Sequence, residues 1–441
     1  MFSMHYSLTC LETGAELDDE SLPLCNPAAA GPAFLRTTYL KHEFTPGPAD
    51  RGLYRFADWL PVRRTLAGSC APVTYRSEAL ASRLGLSRLF ITFSGYWPER
   101  GAYMLTGTFK ECEAYSVCAR MPSEYPQVLV VASAGNTARA FTRVCSENGI
   151  PLVVVIPERN LSALWAVGPV HRNVRVVAAA GDSDYSDAIS LAGIIASLPG
   201  FGPEGGARNV ARRDGMGTTV LSAVDAMGAI PDHYFQAVGS GTGAIAAWEA
   251  NLRLLATGGY GKRKMRLHLS QNAPFAPIHE SWQGGSRTFV PIDEDDARVR
   301  IALIGAKVLA NRNPPYGIRG GIYDALRDTD GTTSAVDNSA ADAAGKLFER
   351  LEGIDLEPAA AVAVADLIAA VRSGMVKRDE SVMLNVTGGG YARLQRDRDV
   401  HQVMPHRIVP RNRFTVDSVS GIMAELFARE SGRRTRAPAG A

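Results

Sequence analysis

Short apolar runs separated by helical patterns dominate the middle of the chain. Uninterrupted apolar runs predict buried strands at residues 128–132, 152–156, 162–167 and 174–178, and a helical pattern covers residues 138–148. Runs that do not alternate apolar with polar residues are typical of a parallel sheet covered by helices on both faces. The pattern therefore predicts an α/β fold.

A second series of alternations begins near residue 218. Its predicted strands are residues 234–238, 265–269 and 382–386, and its predicted helices are residues 244–255, 339–351 and 358–373. Two series of this length are enough for two cores, because a chain of 441 residues exceeds the usual size of a single domain. We expect two three-layer αβα lobes with mostly parallel sheets.

The Gly/Pro-rich segment 199–217 is the predicted boundary between the lobes. The larger lobe is predicted to combine residues 51–120 and 210–430, and the smaller lobe to comprise residues 121–209. Residues 1–50 are predicted as a separate segment of short strands and turns. Residues 431–441, which carry arginines, Pro and Gly, are predicted as a disordered tail.

Composition narrows the class of protein. Hydrophobic residues make up 46% and charged residues 21%, with a net charge of +2, as in ordinary globular enzymes. We expect neither a nucleic-acid partner nor a membrane partner. The chain has no apolar run of bilayer length, and its start lacks a basic and apolar signal layout, so we expect a cytoplasmic protein.

The six cysteines show no repeated spacing, which favours reduced thiols over a disulfide framework. Residues 1–50 resemble a degenerate zinc ribbon. Zinc would require a second cysteine two to four residues from Cys10 and from Cys25, and those positions hold other residues. We therefore predict that no metal is bound.

Residues 105–113 place one lysine, Lys110, at the start of a helical pattern. Thr106 or Thr108 can cap that helix. The apolar or small residues that follow have three- and four-residue spacings and are Ala114, Val117, Cys118 and Met121. A cation at a helix N-terminus opposes the macrodipole, whereas Glu111 and Glu113 suit it. Schiff-base chemistry needs a neutral amine, so Lys110 is a candidate to hold an aldehyde cofactor, although the stretch alone also fits a surface lysine.

A second candidate site is the loop Ser133, Ala134, Gly135, Asn136 and Thr137, between a predicted strand and a predicted helix. Ligands of open α/β sheets bind at such strand ends. Backbone N–H groups and the two hydroxyls can hold a carboxylate, and the Asn136 amide can reach a phenolic or ring oxygen. An ordinary Asn/Gly turn would give the same pattern.

The glycine loop Gly239, Ser240, Gly241, Thr242 and Gly243 also joins a strand to a helix. Glycines allow the backbone to close around an anion, and the helix N-terminus supplies positive potential. The loop fits a variant of the dinucleotide fingerprint as well, but that reading requires an acidic residue about twenty positions later. No Asp or Glu lies between residues 249 and 280, which favours a single phosphate over NAD.

A predicted strand ends at Thr387, which is followed by three glycines. Its hydroxyl could face a ring nitrogen without carrying a charge. Alone, the motif also fits a strand-end turn.

Together the four motifs resemble those of the fold-type II pyridoxal-phosphate enzymes, which share a tryptophan synthase β-like fold, and specifically the threonine synthase family. The resemblance runs in order from residue 105 to residue 390. In that family a Phe-Lys at a helix start binds the cofactor aldehyde, a Ser-x-Gly-Asn loop holds substrate and ring oxygen, a glycine loop binds phosphate, and a Thr or Ser faces the pyridine nitrogen. The resemblance implies these roles for Lys110, Asn136, the Gly239 to Gly243 loop and Thr387, with the larger lobe binding cofactor and the smaller lobe binding substrate.

The resemblance also implies substrate contacts. Residues 209–215 are similar to the family's Asn-x-x-Arg-x-x-Gly segment, which lies beside the substrate. The candidate substrate-binding residues are Thr106, Thr108, Ser133, Ala134, Gly135, Thr137, Arg139, Asn209 and Arg212.

Departures from threonine synthase point to one branch. Lys110 is followed by Glu111 where threonine synthases usually have Asp, and residues 93–98, 108–121 and 386–391 are similar to the cysteate synthase branch. That branch makes L-cysteate and phosphate from O-phospho-L-serine and sulfite. The resemblance implies β-replacement through an aminoacrylate, with Lys110 moving the α-proton. The alternatives are threonine synthase activity on O-phospho-L-homoserine, β-replacement with another nucleophile, and a non-catalytic ligand sensor.

Phosphate and sulfite are both oxyanions, so cations are expected near the substrate β-carbon. Arg139, Arg212 and Arg213 are the candidates, and Arg213 is the one more readily explained as a surface residue. A homo-oligomer, dimer or trimer, is expected because dimers are common in this fold.

Overall fold

The computed structural model describes residues 4–133 and 135–427, which fall into two compact units. Among the described residues, the first unit comprises residues 4–123 and 205–399, and the second comprises residues 124–204 and 400–427. The strands in chain order are β1 Tyr6–Cys10, β2 Glu16–Leu17, β3 Leu35–Tyr39, β4 Val73–Arg76, β5 Arg88–Phe93, β6 Tyr96–Trp97, β7 Ala102–Tyr103, β8 Val128–Ala132, β9 Leu152–Pro157, β10 Trp165–Val167, β11 Val174–Ala179, β12 Phe201–Pro203, β13 His233–Ala237, β14 Arg266–Asn272, β15 Thr332–Val336, β16 Ser381–Val386, β17 Val400–Gln402 and β18 Arg407–Val409.

The α-helices lie between these strands and on either side of the sheets. In chain order they are α1 Ala79–Leu84, α2 Lys110–Arg120, α3 Asn136–Glu147, α4 Tyr185–Ala196, α5 Val210–Met227, α6 Thr242–Thr257, α7 Pro277–Gln283, α8 Glu294–Leu303, α9 Ile322–Asp328, α10 Asn338–Glu352, α11 Pro358–Arg372, α12 Tyr391–Asp397 and α13 Val416–Phe427. Within the described part of the chain, no helix combines the length and the apolar character needed to cross a bilayer.

The first unit is built on a sheet with the strand order β15-β14-β13-β16-β5-β4. All neighbours are parallel except β4 and β5, which are antiparallel. Every residue of β13 and β16 is buried, as expected for central strands covered on both faces. Because β13 and β16 are parallel neighbours, the loops that follow them emerge at the same edge of the sheet.

The second unit has its own parallel sheet, with the order β12-β8-β9-β11-β18. The apolar run predicted at residues 162–167 does not join it. Only Trp165–Val167 is extended, and this strand pairs antiparallel with β17 instead. The prediction treated the run as one more parallel strand because hydrophobicity alone carries no information on the pairing partner.

The C-terminal part of the chain belongs to a different unit from the one predicted. The sequence assigned residues 210–430 to the larger lobe, whereas residues 400–427 group with the second unit. The reason is hydrogen bonding: β17 pairs with β10, and β18 extends the sheet beside β11. The predicted tail, residues 431–441, lies outside the described residues.

The N-terminal strands form an antiparallel sheet with the order β2-β1-β3, and this sheet belongs to the first unit. Buried polar contacts attach it there. Asp19 forms an ion pair with Arg120 at the end of α2, and Asp214 in α5 accepts hydrogen bonds from Thr37 at 2.5 Å and from Tyr39 at 2.7 Å. Cys10 and Cys25 are both free thiols.

Candidate active site

Lys110 is the first residue of α2, as the sequence predicts. Phe109 occupies the position before the helix, and the Thr108 hydroxyl accepts the Lys110 backbone N–H at 3.2 Å. The backbone N–H of Thr106 donates to the Glu111 carboxylate at 2.5 Å. The predicted threonine cap is therefore wrong in position: Phe109 is the capping residue and has no side-chain cap bond, while Thr108 and Glu111 fix the turn before the helix by hydrogen bonds to backbone N–H groups.

The Lys110 amine has an acidic neighbour. Its Nζ donates to Glu113 Oε2 at 3.2 Å and lies 3.8 Å from the sulfur of Met216. The Lys110 side chain is 19% exposed, whereas Glu113 has no exposed surface. The amine is therefore accessible from one side only.

Hydrogen bonds connect this helix start to the end of β16. The Phe109 N–H donates to the Thr387 carbonyl at 2.9 Å, and the Gly389 N–H donates to the Gly107 carbonyl at 3.0 Å. An isolated antiparallel bridge joins Thr108 to Gly388. The structure thus brings together two predicted motifs that lie almost 280 residues apart, between 110 and 387.

The glycine loop lies at the C-terminal end of β13, next to β16, and leads into α6. Gly241 has a positive φ of 73°, a conformation that favours glycine. A Cβ at Gly243 would lie 2.5 Å from the Gln236 amide nitrogen, and one at Gly239 would lie 3.1 Å from the Leu309 Cα, so side chains in this loop would force its neighbours to move. The Ser240 and Thr242 hydroxyls are 2.8 Å apart. A small-residue loop of this kind at a helix N-terminus can accommodate an anion.

Close helix packing sets the position of α2. At Gly215 in α5, a Cβ would collide with the backbone carbonyl of Cys112 and lie 2.8 Å from the Ser116 Cβ. At Gly217, a Cβ would lie 3.3 Å from the Ala246 carbonyl of α6. Burial raises the pKa of the Cys112 thiol well above its ordinary value, so Cys112 packs as an apolar residue beside Lys110.

The segment that starts α5 has mainly structural contacts. Asn209 caps α5 through its Oδ1, which accepts from the Ala211 N–H at 3.0 Å and from Arg120 at 2.8 Å. Arg212 reaches Glu113 Oε1 at 3.4 Å, and its side chain is 10% exposed. Arg212 therefore already forms an ion pair with Glu113 inside the protein, and its predicted role in binding an oxyanion stays a prediction.

Arg213 is neither a surface residue nor an anion-binding residue, and the sequence prediction is wrong here. It is fully buried, its Nε donates to Glu249 at 2.9 Å, and its other nitrogens donate to the Leu35 and Ala207 carbonyls. All of its nitrogens thus have protein acceptors.

The second unit holds the remaining predicted residues. Ser133 follows β8, and its hydroxyl accepts the Gly135 N–H at 3.1 Å; Asn136 begins α3. Ser133, Asn136 and Thr137 are all buried. Ala134 lies outside the described residues. The strand-to-helix loop therefore forms where the sequence predicts it.

Arg139 turns out to be a partner of Asn136. Its guanidinium donates to Asn136 Oδ1 at 2.7 Å and to the Ala163 carbonyl at 3.1 Å, and it lies 4.3 Å from the centre of the Trp165 ring. Because Oδ1 accepts from Arg139, the amide nitrogen is the group that Asn136 presents to a ligand oxygen.

The fold, together with the arrangement of Lys110, the glycine loop and Thr387, indicates a class of enzyme. Residues 87–388 match the family described as pyridoxal-phosphate dependent enzymes, so the chain belongs to that family. The diaminopropionate ammonia lyase of Escherichia coli shares the fold, with a TM-score of 0.57 at 16% identity over 81% of this chain and 93% of that chain. The fold is the type II fold of these enzymes, and the cofactor is pyridoxal phosphate.

More similar relatives define the branch. The cysteate synthase of Methanosarcina acetivorans is 47% identical over 91% of this chain and 95% of its own length. The cysteate synthase of Methanoculleus marisnigri is 50% identical over 85% of this chain and 86% of its own length. The chain is therefore a member of the cysteate synthase branch.

The residues of the first unit fit the cofactor. An accessible amine, a glycine loop without room for a side chain, and a hydroxyl at the end of β16 are the groups that an aldehyde, a phosphate and a ring nitrogen require. The Thr387 hydroxyl makes no hydrogen bond to any residue in the described ranges 4–133 and 135–427.

Sequence reasoning assigned Glu113 only to the helix dipole and missed its contacts with Lys110 and Arg212. The three-residue spacing from Lys110 is a usable signal, because residues i and i+3 face each other on a helix. The ion pair of Glu113 with Arg212 of α5 could not be read from the sequence, because the two residues are far apart in the chain.

Proposed function

We propose that the protein makes L-cysteate from O-phospho-L-serine and sulfite, with release of phosphate. The observation that carries the proposal is the junction of the Lys110 helix start with the Thr387 strand end. Identity of 45–50% to cysteate synthases over about 90% of the chain supports this reaction over the threonine synthase alternative.

The first unit holds the cofactor in this proposal. Lys110 binds the aldehyde and moves the proton at the substrate α-carbon, and the Gly239 to Gly243 loop binds the cofactor phosphate at the N-terminus of α6. Thr387 offers a neutral hydroxyl to the ring nitrogen. When bound, pyridoxal phosphate supplies the electron sink for bond cleavage at the α-carbon.

The second unit supplies substrate contacts. Ser133 and Thr137 offer hydroxyls at the start of α3, which suits a substrate carboxylate, and Gly135, whose N–H donates to the Ser133 hydroxyl, closes the loop around it. Asn136 keeps the cofactor-binding role that the family resemblance implies, and within the second unit Arg139 holds its amide in place. In the first unit, Thr106, Thr108, Asn209 and Arg212 are the further substrate contacts of this proposal.

Product analysis tests the reaction. The purified, cofactor-loaded chain is incubated with phosphoserine and sulfite, with phosphohomoserine alone, and with phosphoserine plus sulfide. We expect cysteate and phosphate from the first mixture in excess of any product from the others. Threonine from phosphohomoserine as the main product would contradict the proposal.

We also propose a cytoplasmic homo-oligomer. All cysteines within the described ranges are free thiols, as is usual for proteins of a reducing compartment. Light scattering coupled to size exclusion gives the mass in solution, and a single-chain mass would contradict the proposed assembly.

A further inference from the structure

Glu113 is a buried carboxylate that connects two cations. Its Oε2 accepts from Lys110 Nζ at 3.2 Å, and its Oε1 lies 3.4 Å from Arg212. One carboxylate oxygen therefore serves each cation. A carboxylate with no exposed surface is stable only when it is paired in this way.

The other charged residues near Glu113 on α2 and α5 are bonded to different partners. On α2, the neighbouring Glu111 is bonded to the Thr106 backbone instead. On α5, Asp214 is paired with Arg253, and Arg213 is paired with Glu249.

The strand end that packs against the start of α2 consists of the uncharged residues Thr387, Gly388 and Gly389. The nearby carboxylate of Glu357 lies against Gly388. Arg212 and Lys110 thus each form an ion pair with Glu113.

We propose that Glu113 is the charge partner of the Lys110 amine and that Arg212 is a positioning residue that holds this carboxylate. The inference rests on the proposed role of Lys110 as the cofactor lysine. When the lysine is not bonded to cofactor, its ammonium donates to Glu113 and stays at the helix start. Arg212 stabilises the carboxylate and opposes the lysine charge, so the two neighbours act on the amine with opposite sign.

The opposite signs give a sharp test on the full chain after cofactor removal. The rate of Lys110 acetylation is measured against pH by peptide mapping, and circular dichroism verifies that each variant is folded. Glu113→Gln should lower the pH midpoint of labelling, because the ammonium loses its anion. Arg212→Met should raise the midpoint, because a like charge is removed.

Glu111→Gln is the matched control. Glu111 is equally buried on the same helix and is bonded to the Thr106 N–H, so its substitution should leave the Lys110 midpoint unchanged. Glu113→Asp keeps the charge and should restore part of the midpoint.

A midpoint that stays in place in both Glu113→Gln and Arg212→Met would overturn the inference, and so would a shift of the same sign in the two variants. Should Glu113→Gln fail to fold, Arg212→Met and Glu113→Asp decide the question by themselves. A separate experiment tests the proposed function. If borohydride reduction labels another lysine, Lys110 is not the cofactor lysine. The pH midpoint of Lys110 acetylation would still report on the contact with Glu113.

Discussion

The two units each place a functional loop between a parallel strand and a helix, but they build it differently. In the first unit, backbone hydrogen bonds join α2 to the distant end of β16, and the glycine loop emerges at the same edge of the sheet because β13 and β16 are parallel neighbours. In the second unit, residues 133–139 form the loop locally, and Arg139 fixes Asn136 from one helical turn away. The proposed lysine site is thus supported by long-range backbone structure, and the proposed substrate loop by short-range side-chain contacts.

The largest expected effect lies at the centre of the first unit. Lys110→Ala should abolish turnover and the reducible lysine linkage to the cofactor, because no other amine occupies the helix start. Absorbance of the purified protein and borohydride labelling followed by peptide mapping measure both. Lys346→Ala, at an exposed helix position of the same unit, should retain the linkage and the activity. Retained turnover in Lys110→Ala would remove this lysine from the site.

The next largest expected effect is on the free energy of unfolding and comes from a buried carboxyl group. Burial raises the pKa of Asp366, on α11 of the first unit, from its ordinary 3.8 to about 6. Between these values the folded chain holds a proton that the unfolded chain has lost, so stability falls as pH rises from about 4 to above 6. Asp366→Asn should therefore stabilise the protein by about 3 kcal/mol at pH 7, and the gain should vanish near pH 4.

Urea unfolding at several pH values measures this effect, with Asp184→Ala as the comparison in the second unit. Asp184 caps α4 by accepting from the N–H groups of Ser186 and Asp187, so its loss should destabilise. A stability gain for Asp366→Asn that does not depend on pH would contradict the titration of that carboxyl group.

Substitution of one glycine in each unit compares a tightly packed helix position with an exposed one. Gly215→Ala should cost about 1–3 kcal/mol and reduce activity, because its Cβ would meet the Cys112 carbonyl and displace α2. Gly193→Ala, in α4 of the second unit, has open space around the added Cβ and should stabilise by about 0.5–1 kcal/mol. Thermal unfolding of both variants measures the pair. Equal effects would show that the close approach of α5 to α2 is not required.

The smallest expected effect tests the local loop. Arg139→Met should lower kcat/KM for phosphoserine about tenfold, because Asn136 loses a charged hydrogen-bond donor. Binding of unphosphorylated L-serine, followed by visible absorbance, should weaken to a similar degree. If serine binding is unchanged while phosphoserine turnover falls, Arg139 acts on the substrate phosphate, as the sequence predicts, and not on Asn136.

Local patterns carried most of the prediction. The strand predicted at 382–386 is Ser381–Val386, and the helix start at Lys110 was predicted correctly because its threonines and apolar spacing are neighbours in sequence. The type II fold and the cofactor followed from four short motifs in order.

Pairing across long distances could not be predicted. The antiparallel partner of β10, the assignment of β18 to the second unit and the ion pair of Glu113 with Arg212 all depend on residues far apart in sequence. Periodicity identifies a buried face and leaves its partner open, which also explains why Arg213 was taken for a surface residue.

The edge strand β18 has a consequence for synthesis. It pairs with β11, but it is translated only after the whole of residues 205–399 has been made. Until then the hydrogen-bonding edge of Val174–Ala179 is open on a nascent chain, and open strand edges are sites of association with other chains. A ribosome that stalls before residue 407 would therefore release a chain whose second sheet is incomplete and prone to aggregate.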